Sequence, residues 1–153
     1  MKNLRILNTR EIKDITKRLK ELYDDEEKLS YAFLMDGNDK IYLVSKEIEL
    51  IDFEQLRINS MGLYFADINK YNELRLSIEG SQLIGPHAKK NVLELNEEQV
   101  RAYFRSEEIS IDEKDTGFML LKYKNDFFGA SKIKDKKLLN YLPKVHRTKE
   151  LIL

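Results

Sequence analysis

The side chains that most often do chemistry are sparse in this chain and poorly grouped. His87 and His146 lie far apart with no second histidine beside either, and cysteine is absent, so no thiolate zinc site or cysteine nucleophile can be built. The six glycines, at 37, 62, 80, 85, 117 and 129, are scattered and make no phosphate-cradling loop; Gly80 and Gly85 read as turn glycines. Ser110, Asp112 and His146 share no strained nucleophile turn. Glu97-Glu98 and Glu107-Glu108 have the spacing of solvated surface charge. A pocket drawn from His87, Tyr123 and Asp126 is the enzymatic alternative. The expectation is a protein with no catalytic residue, no metal and no cofactor.

The C-terminal segment differs in kind. Residues 116–153 hold nine basic residues against three acidic ones, a net +6 in a neutral chain, so the rest carries −6. Here Lys132, Lys134, Lys136, Lys137, Lys144 and Arg147 are interleaved with Asn140, Tyr141 and His146. Such cations hold phosphates and release counterions, a carboxamide can bond a base edge or a 2′-hydroxyl, and a phenol ring can stack on an unpaired base. The plainer reading is a solvated basic tail with Leu138, Leu139 and Leu142 in the core. For the leucines the core is preferred; Tyr141 fits either reading.

These residues need elements to position them. Over residues 8–23, Ile12, Ile15, Leu19 and Leu22 recur at three- and four-residue steps behind Asn8 or Thr9 as cap, with Glu11 in the first turn. That spacing predicts a surface helix, followed by a solvated acidic loop at 24–27. Residues 30–35 and 40–45 flank Asp36-Gly37-Asn38-Asp39 and predict a hairpin. Residues 48–58 are read as a short helix, 62–68 as a strand, and Asn69-Lys70-Tyr71-Asn72 as the candidate domain boundary. Beyond it, 73–78 alternates Leu74, Leu76 and Ile78 as a half-buried strand, and 79–85 is a short helix ended by Gly85-Pro86. A strand at 91–95 precedes a helix capped by Asn96, with Val100, Tyr103 and Phe104 inward. Strands at 109–111, 118–123 and 127–133 then predict a closed or nearly closed barrel.

The length of 153 residues allows one ordinary domain or two small ones. The longest wholly apolar run, Tyr31 to Met35, is far short of the about twenty residues that span a bilayer. With cysteine absent, the expected home is the cytoplasm. Abundant Lys and Glu beside only Gln55, Gln82 and Gln99 is a bias seen in proteins from hot habitats.

Gly117-Phe118-Met119-Leu120-Leu121-Lys122-Tyr123, then Phe128-Gly129-Ala130-Ser131-Lys132, then Asn140-Tyr141-Leu142-Pro143-Lys144, resemble the end of a PUA domain. Two groups share that ending. In archaeal and eukaryotic ribosome-biogenesis proteins of the nuclear-import-protein-seven type, a small α/β pre-PUA domain precedes an RNA-binding PUA domain. Ile41-Tyr42-Leu43-Val44-Ser45-Lys46-Glu47-Ile48 is similar to their first-domain strand. Leu74-Arg75-Leu76-Ser77-Ile78 through Pro86-His87-Ala88-Lys89 is similar to the opening of their second domain. The other group is the sun-type RNA cytosine methyltransferases, whose appended PUA-like domain has a similar Lys-Asn-x-x-Pro-Lys ending, with Leu139 here in place of the first Lys. A further departure is Gly129 followed by Ala130-Ser131 where a glycine turn is usual.

The resemblance implies an α+β protein: a small α/β pre-PUA domain over 1–70, then a PUA-type β pseudo-barrel over 71–153. It implies a non-catalytic protein that binds structured ribosomal or transfer RNA in ribosome biogenesis, translation or RNA modification, with an assembly or modification protein as a further partner and no membrane. Lys132, Lys134, Asn140, Lys144 and Arg147 are the matching C-terminal positions, and Lys89 and Lys90 match at the second-domain opening. Lys136, Lys137 and Tyr141 join them from the charge and ring pattern, while Arg75 has either a binding or a structural role. The alternative is a protein-interaction adaptor in a ribosome-assembly complex with weak RNA contact. Its mark is an exposed apolar patch within residues 1–70, where 12 basic residues stand against 14 acidic ones.

Overall fold

The computed structural model describes residues 4–46, 62–148, 151 and 153. The short helix expected over 48–58 lies outside them. After a short strand β1 (Arg5–Ile6), helix α1 (Thr9–Tyr23) begins where the sequence signals it. Asn8 accepts from the Glu11 amide at 2.9 Å, and Glu11 accepts from the Asn8 amide at 3.2 Å, so two orphan donors of the first turn are satisfied reciprocally. The helix buries Ile15, Leu19 and Tyr23 and ends at Asp24 in the left-handed conformation. The acidic loop that follows is not wholly solvated: Asp25 is buried, its carboxylate accepting from the Glu27 amide at 2.9 Å.

The hairpin forms as expected from β2 (Ala32–Met35) and β3 (Lys40–Val44). Asp36 shapes its turn by accepting from the amides of Asn38 and Lys40. Two more strands, β4 (Leu63–Ile68) and β5 (Leu74–Leu76), complete an antiparallel sheet in the order β1-β2-β3-β4-β5. The segment expected as a boundary is the tight turn between β4 and β5, where Asn69 accepts from the amides of Tyr71 and Glu73.

Helix α2 (Ile78–Ile84) is wedged between this sheet and the second one. Ser77 caps it, accepting from the Gly80 amide at 2.8 Å while donating to the carbonyl of Tyr64 or Phe65. Gly80 sits inside the helix rather than in a turn. A Cβ there would stand 2.0 Å from the Phe65 carbonyl oxygen, so its smallness permits the close approach of helix and strand. Gly85 is right-handed, with φ −50°, and opens a 3₁₀ turn (Gly85–His87); a Cβ on it would meet the Phe127 ring at 2.4 Å. Both glycines are required by space.

The second half contains β6 (Val92–Glu94), α3 (Glu97–Phe104), β7 (Met119–Tyr123) and β8 (Asp126–Ser131). Asn96 and Gln99 form a second reciprocal cap on α3. Strand β7 lies centrally, parallel to β6 and antiparallel to β8, while β9 (Ile133–Lys134) and β10 (Lys137–Leu138) make a two-stranded ribbon. The β7–β8 ladder is irregular between Leu120 and Lys122, opposite Gly129, whose φ of +132° disfavours any side chain. Alternation sends Leu120 and Phe127 into one core with α1, Phe33, Phe65 and Leu76, and sends Leu121 and Phe128 into another with Val100, Tyr103, Ile133 and Leu138. The fold is α+β, and the β6-β7-β8 sheet is covered on both faces.

Candidate nucleic-acid interface

The cations expected to bind RNA fall into four places. Lys134, Lys136 and Lys137 occupy the β9–β10 ribbon, whose turn residues Asp135 and Lys136 both have positive φ, as a two-residue hairpin with right-handed twist requires. Lys136 is 3.0 Å from Asp112 and Lys137 is 2.7 Å from Glu108, so part of the ribbon's charge is offset by the segment beside it. Lys134 is exposed and makes no ion pair among the described residues.

Lys132 turns away from these three. Its ammonium contacts both carboxylate oxygens of Glu73, at 2.6 and 2.7 Å, and lies 4.7 Å from the centroid of the Phe118 ring. The hydrogen bond from Lys132, helped by one from Asn69, holds the Glu73 carboxyl below its usual pKa.

The segment after β10 returns across the second core. Asn140 donates from its carboxamide to the Tyr103 carbonyl at 2.8 Å and accepts from the Leu142 amide at 2.9 Å, so both ends of the side chain serve the fold. Tyr141 is half-buried, edge-on to Phe118 with ring centroids 5.3 Å apart and 5.2 Å from the Arg75 guanidinium. Leu138 and Leu142 are buried, as the core reading has them, whereas Leu139 is only half-buried and lies outside the core. Lys144 then projects from an exposed 3₁₀ turn (Lys144–His146) with no ion pair among the described residues, and Arg147 donates to the Leu142 carbonyl at 3.2 Å.

Lys89 and Lys90 stand elsewhere, exposed on the loop between the Gly85–His87 turn and β6. They share a cleft with Lys122, which reasoning along the chain does not single out because it reads as one polar position of an alternating strand.

Arg75 has a structural role. It pairs with Asp67 at 2.5 Å and donates to the Tyr141 carbonyl at 3.4 Å, while Tyr64 donates to the same Asp67 at 2.9 Å. These groups line a cleft of about 460 Å³ that also reaches Gly129 and His146. Burial and the neighbouring Asp67 raise the Tyr64 pKa, so its hydroxyl stays a donor. The cleft presents hydrogen-bonding groups and the face of the Tyr141 ring. Of the enzymatic alternative, Tyr123 and Asp126 are partners across the β7–β8 strands, and His87 lies 3.5 Å from Glu27. Among the described residues no cluster of metal-ligating side chains is present, and no helix is long and apolar enough to cross a membrane.

No curated protein matches the chain. Residues 90–148, which include α3, the β7–β8 pair, the basic ribbon and Lys144, match the family described as the methyltransferase RsmF PUA domain, so the C-terminal part of this chain carries a PUA-type domain, a module that generally binds RNA.

Proposed function

We propose that this is a non-catalytic, cytoplasmic RNA-binding protein that holds structured ribosomal or transfer RNA through cations of its PUA-type half, in ribosome biogenesis, translation or RNA modification. One observation carries the reading: the basic segment that begins at residue 116 lies, as far as residue 148, within the stretch that matches the PUA domain, and it presents Lys134 and Lys144 exposed and without a carboxylate partner among the described residues. Lys136, Lys137 and Arg147 extend that surface. Asn140 and Tyr141 position it from beneath, one through the Tyr103 carbonyl and the other through Phe118 and Arg75.

An adaptor role is served by a different feature. Tyr31 and Leu63 are exposed and border a shallow apolar cleft with Leu43, Val44 and Leu83.

Titrating the purified protein against ribosomal RNA fragments and tRNA at two salt concentrations, with heparin as competitor, separates the two. The RNA-binding reading expects tight binding to one RNA that weakens with salt and resists heparin. Weak binding erased equally for every RNA overturns it and leaves the adaptor.

A further inference from the structure

The Gly85–His87 turn, the loop that follows it and the β7–β8 turn enclose a cleft of about 510 Å³. It is lined by Lys89, Lys90 and Lys122, by the amides Asn91 and Asn125 and by Phe127, and no carboxylate lines it.

The loop that carries Lys89 and Lys90 is held through its backbone and through Asn91. The Lys89 amide donates to the Tyr23 carbonyl at 2.8 Å, the Asn91 side chain donates to the Leu22 carbonyl, and the Asn91 carbonyl accepts from the Leu120 amide at 2.8 Å. The loop is thereby tied to the end of α1 on one side and to β7 on the other, with Asn91 left-handed at φ 57°. Lys122 rises from the central strand, 5.6 Å from the Phe127 centroid. It belongs to the sheet face of Leu120 and Phe127, whereas β9, β10 and α3 pack on the face of Leu121 and Phe128. The cleft is therefore separate from the surface of Lys134 and Lys144.

We propose that this cleft is a second RNA site, taking the phosphodiester backbone of a single-stranded segment. The inference rests on the RNA-binding reading above. Three ammonium groups around a concave, carboxylate-free space concentrate positive potential. The volume falls within the range of roughly 300–1,000 Å³ that small-molecule sites occupy, enough for one nucleotide. The anchored loop lowers the entropy lost on binding. Asn125 makes no side-chain hydrogen bond among the described residues and supplies a donor and an acceptor for a 2′-hydroxyl or base edge.

The test follows amide signals of the full chain by NMR during titration with a short single-stranded RNA, with tripolyphosphate and ATP as parallel probes. Support is movement of the Lys90, Asn91 and Asn125 signals with RNA, and a salt slope lower by about 1.4 in the doubly substituted Lys90→Gln, Lys122→Gln protein, at about 0.7 per lost single-strand contact. If RNA binds and moves only signals of the ribbon and of Lys144, the cleft assignment falls while the RNA-binding reading stands. If the cleft responds to tripolyphosphate or ATP and not to RNA, it is a site for small phosphates and the assignment is overturned. If no RNA binds anywhere, both readings fall. Because the wild-type titration does not depend on the substituted chain folding, a misfolded variant leaves the test intact.

Discussion

Lys132 and Glu73, fifty-nine positions apart, meet through two contacts of 2.6 and 2.7 Å. The pair fastens the end of β8 to the β4–β5 turn over the Phe118 ring, joining the PUA-type half to the first sheet. A phosphate reaching Lys132 has to displace Glu73, so this lysine contributes to the fold before it contributes to any ligand.

That pairing has an acid signature. The Glu73 carboxyl titrates below its ordinary range when folded, chiefly through the Lys132 hydrogen bond. Its stabilisation is therefore present above the unfolded carboxylate pKa of about 4.3 and is lost as pH falls from there through the folded value. Glu73→Gln should lower the urea midpoint at pH 7 and flatten its decline under acid. Chemical denaturation at a series of pH values reads both, and an unchanged acid slope would show that the pair contributes nothing. Glu11, lowered in the same direction by Arg5, supplies the acid dependence that stays.

Gly80→Ala should destabilise by about 1–3 kcal/mol or more, since the added methyl meets the Phe65 carbonyl oxygen. Gly117→Ala is its control, with nothing within 4 Å of the new Cβ, and should change stability by no more than about 0.5 kcal/mol. Thermal melts of the two proteins check this; equal melting temperatures would contradict the close packing of α2 on β4.

Asn140→Ala removes a donor from the Tyr103 carbonyl and an acceptor from the Leu142 amide. A loss of about 1–3 kcal/mol is expected, because the Leu142 amide is left without a partner, while the Tyr103 carbonyl keeps the Ser106 amide at 3.1 Å. RNA affinity measured well below the melting transition should fall less than in the charge-reversal protein below. A full loss of RNA binding at wild-type stability would instead place Asn140 on the RNA.

Lys134→Glu combined with Lys144→Glu should weaken RNA binding and reduce its salt slope by about one unit per lost phosphate contact. Lys136→Gln with Lys137→Gln should do less, because charges are removed rather than reversed and Asp112 and Glu108 partly offset those ammonium groups. Filter binding at several salt concentrations compares these two proteins with the unsubstituted one. Equal slopes throughout would remove the ribbon and Lys144 from the interface.

Local chemistry was legible along the chain. Asn8 with Glu11 and Asn96 with Gln99 act three residues apart, so both capped helices follow from sequence alone, as do the hairpin around Asp36 and the buried leucines 138 and 142. The basic C-terminal stretch and its likeness to a PUA domain were also legible, since charge and short motifs do not depend on folding. Contacts between distant residues were not. Nothing in the spacing of Glu73 and Lys132, of Tyr23 and Phe118, or of Gly80 and Phe65 signals that they touch. Only the wedging of α2 between two sheets decides that a glycine fills a helix rather than a turn. Only the docking of the α1 terminus against β7 gathers Lys89, Lys90 and Lys122 around one cleft. Sequence sets which groups are charged and which segments cap themselves; packing sets which charges are offset and which still face solvent.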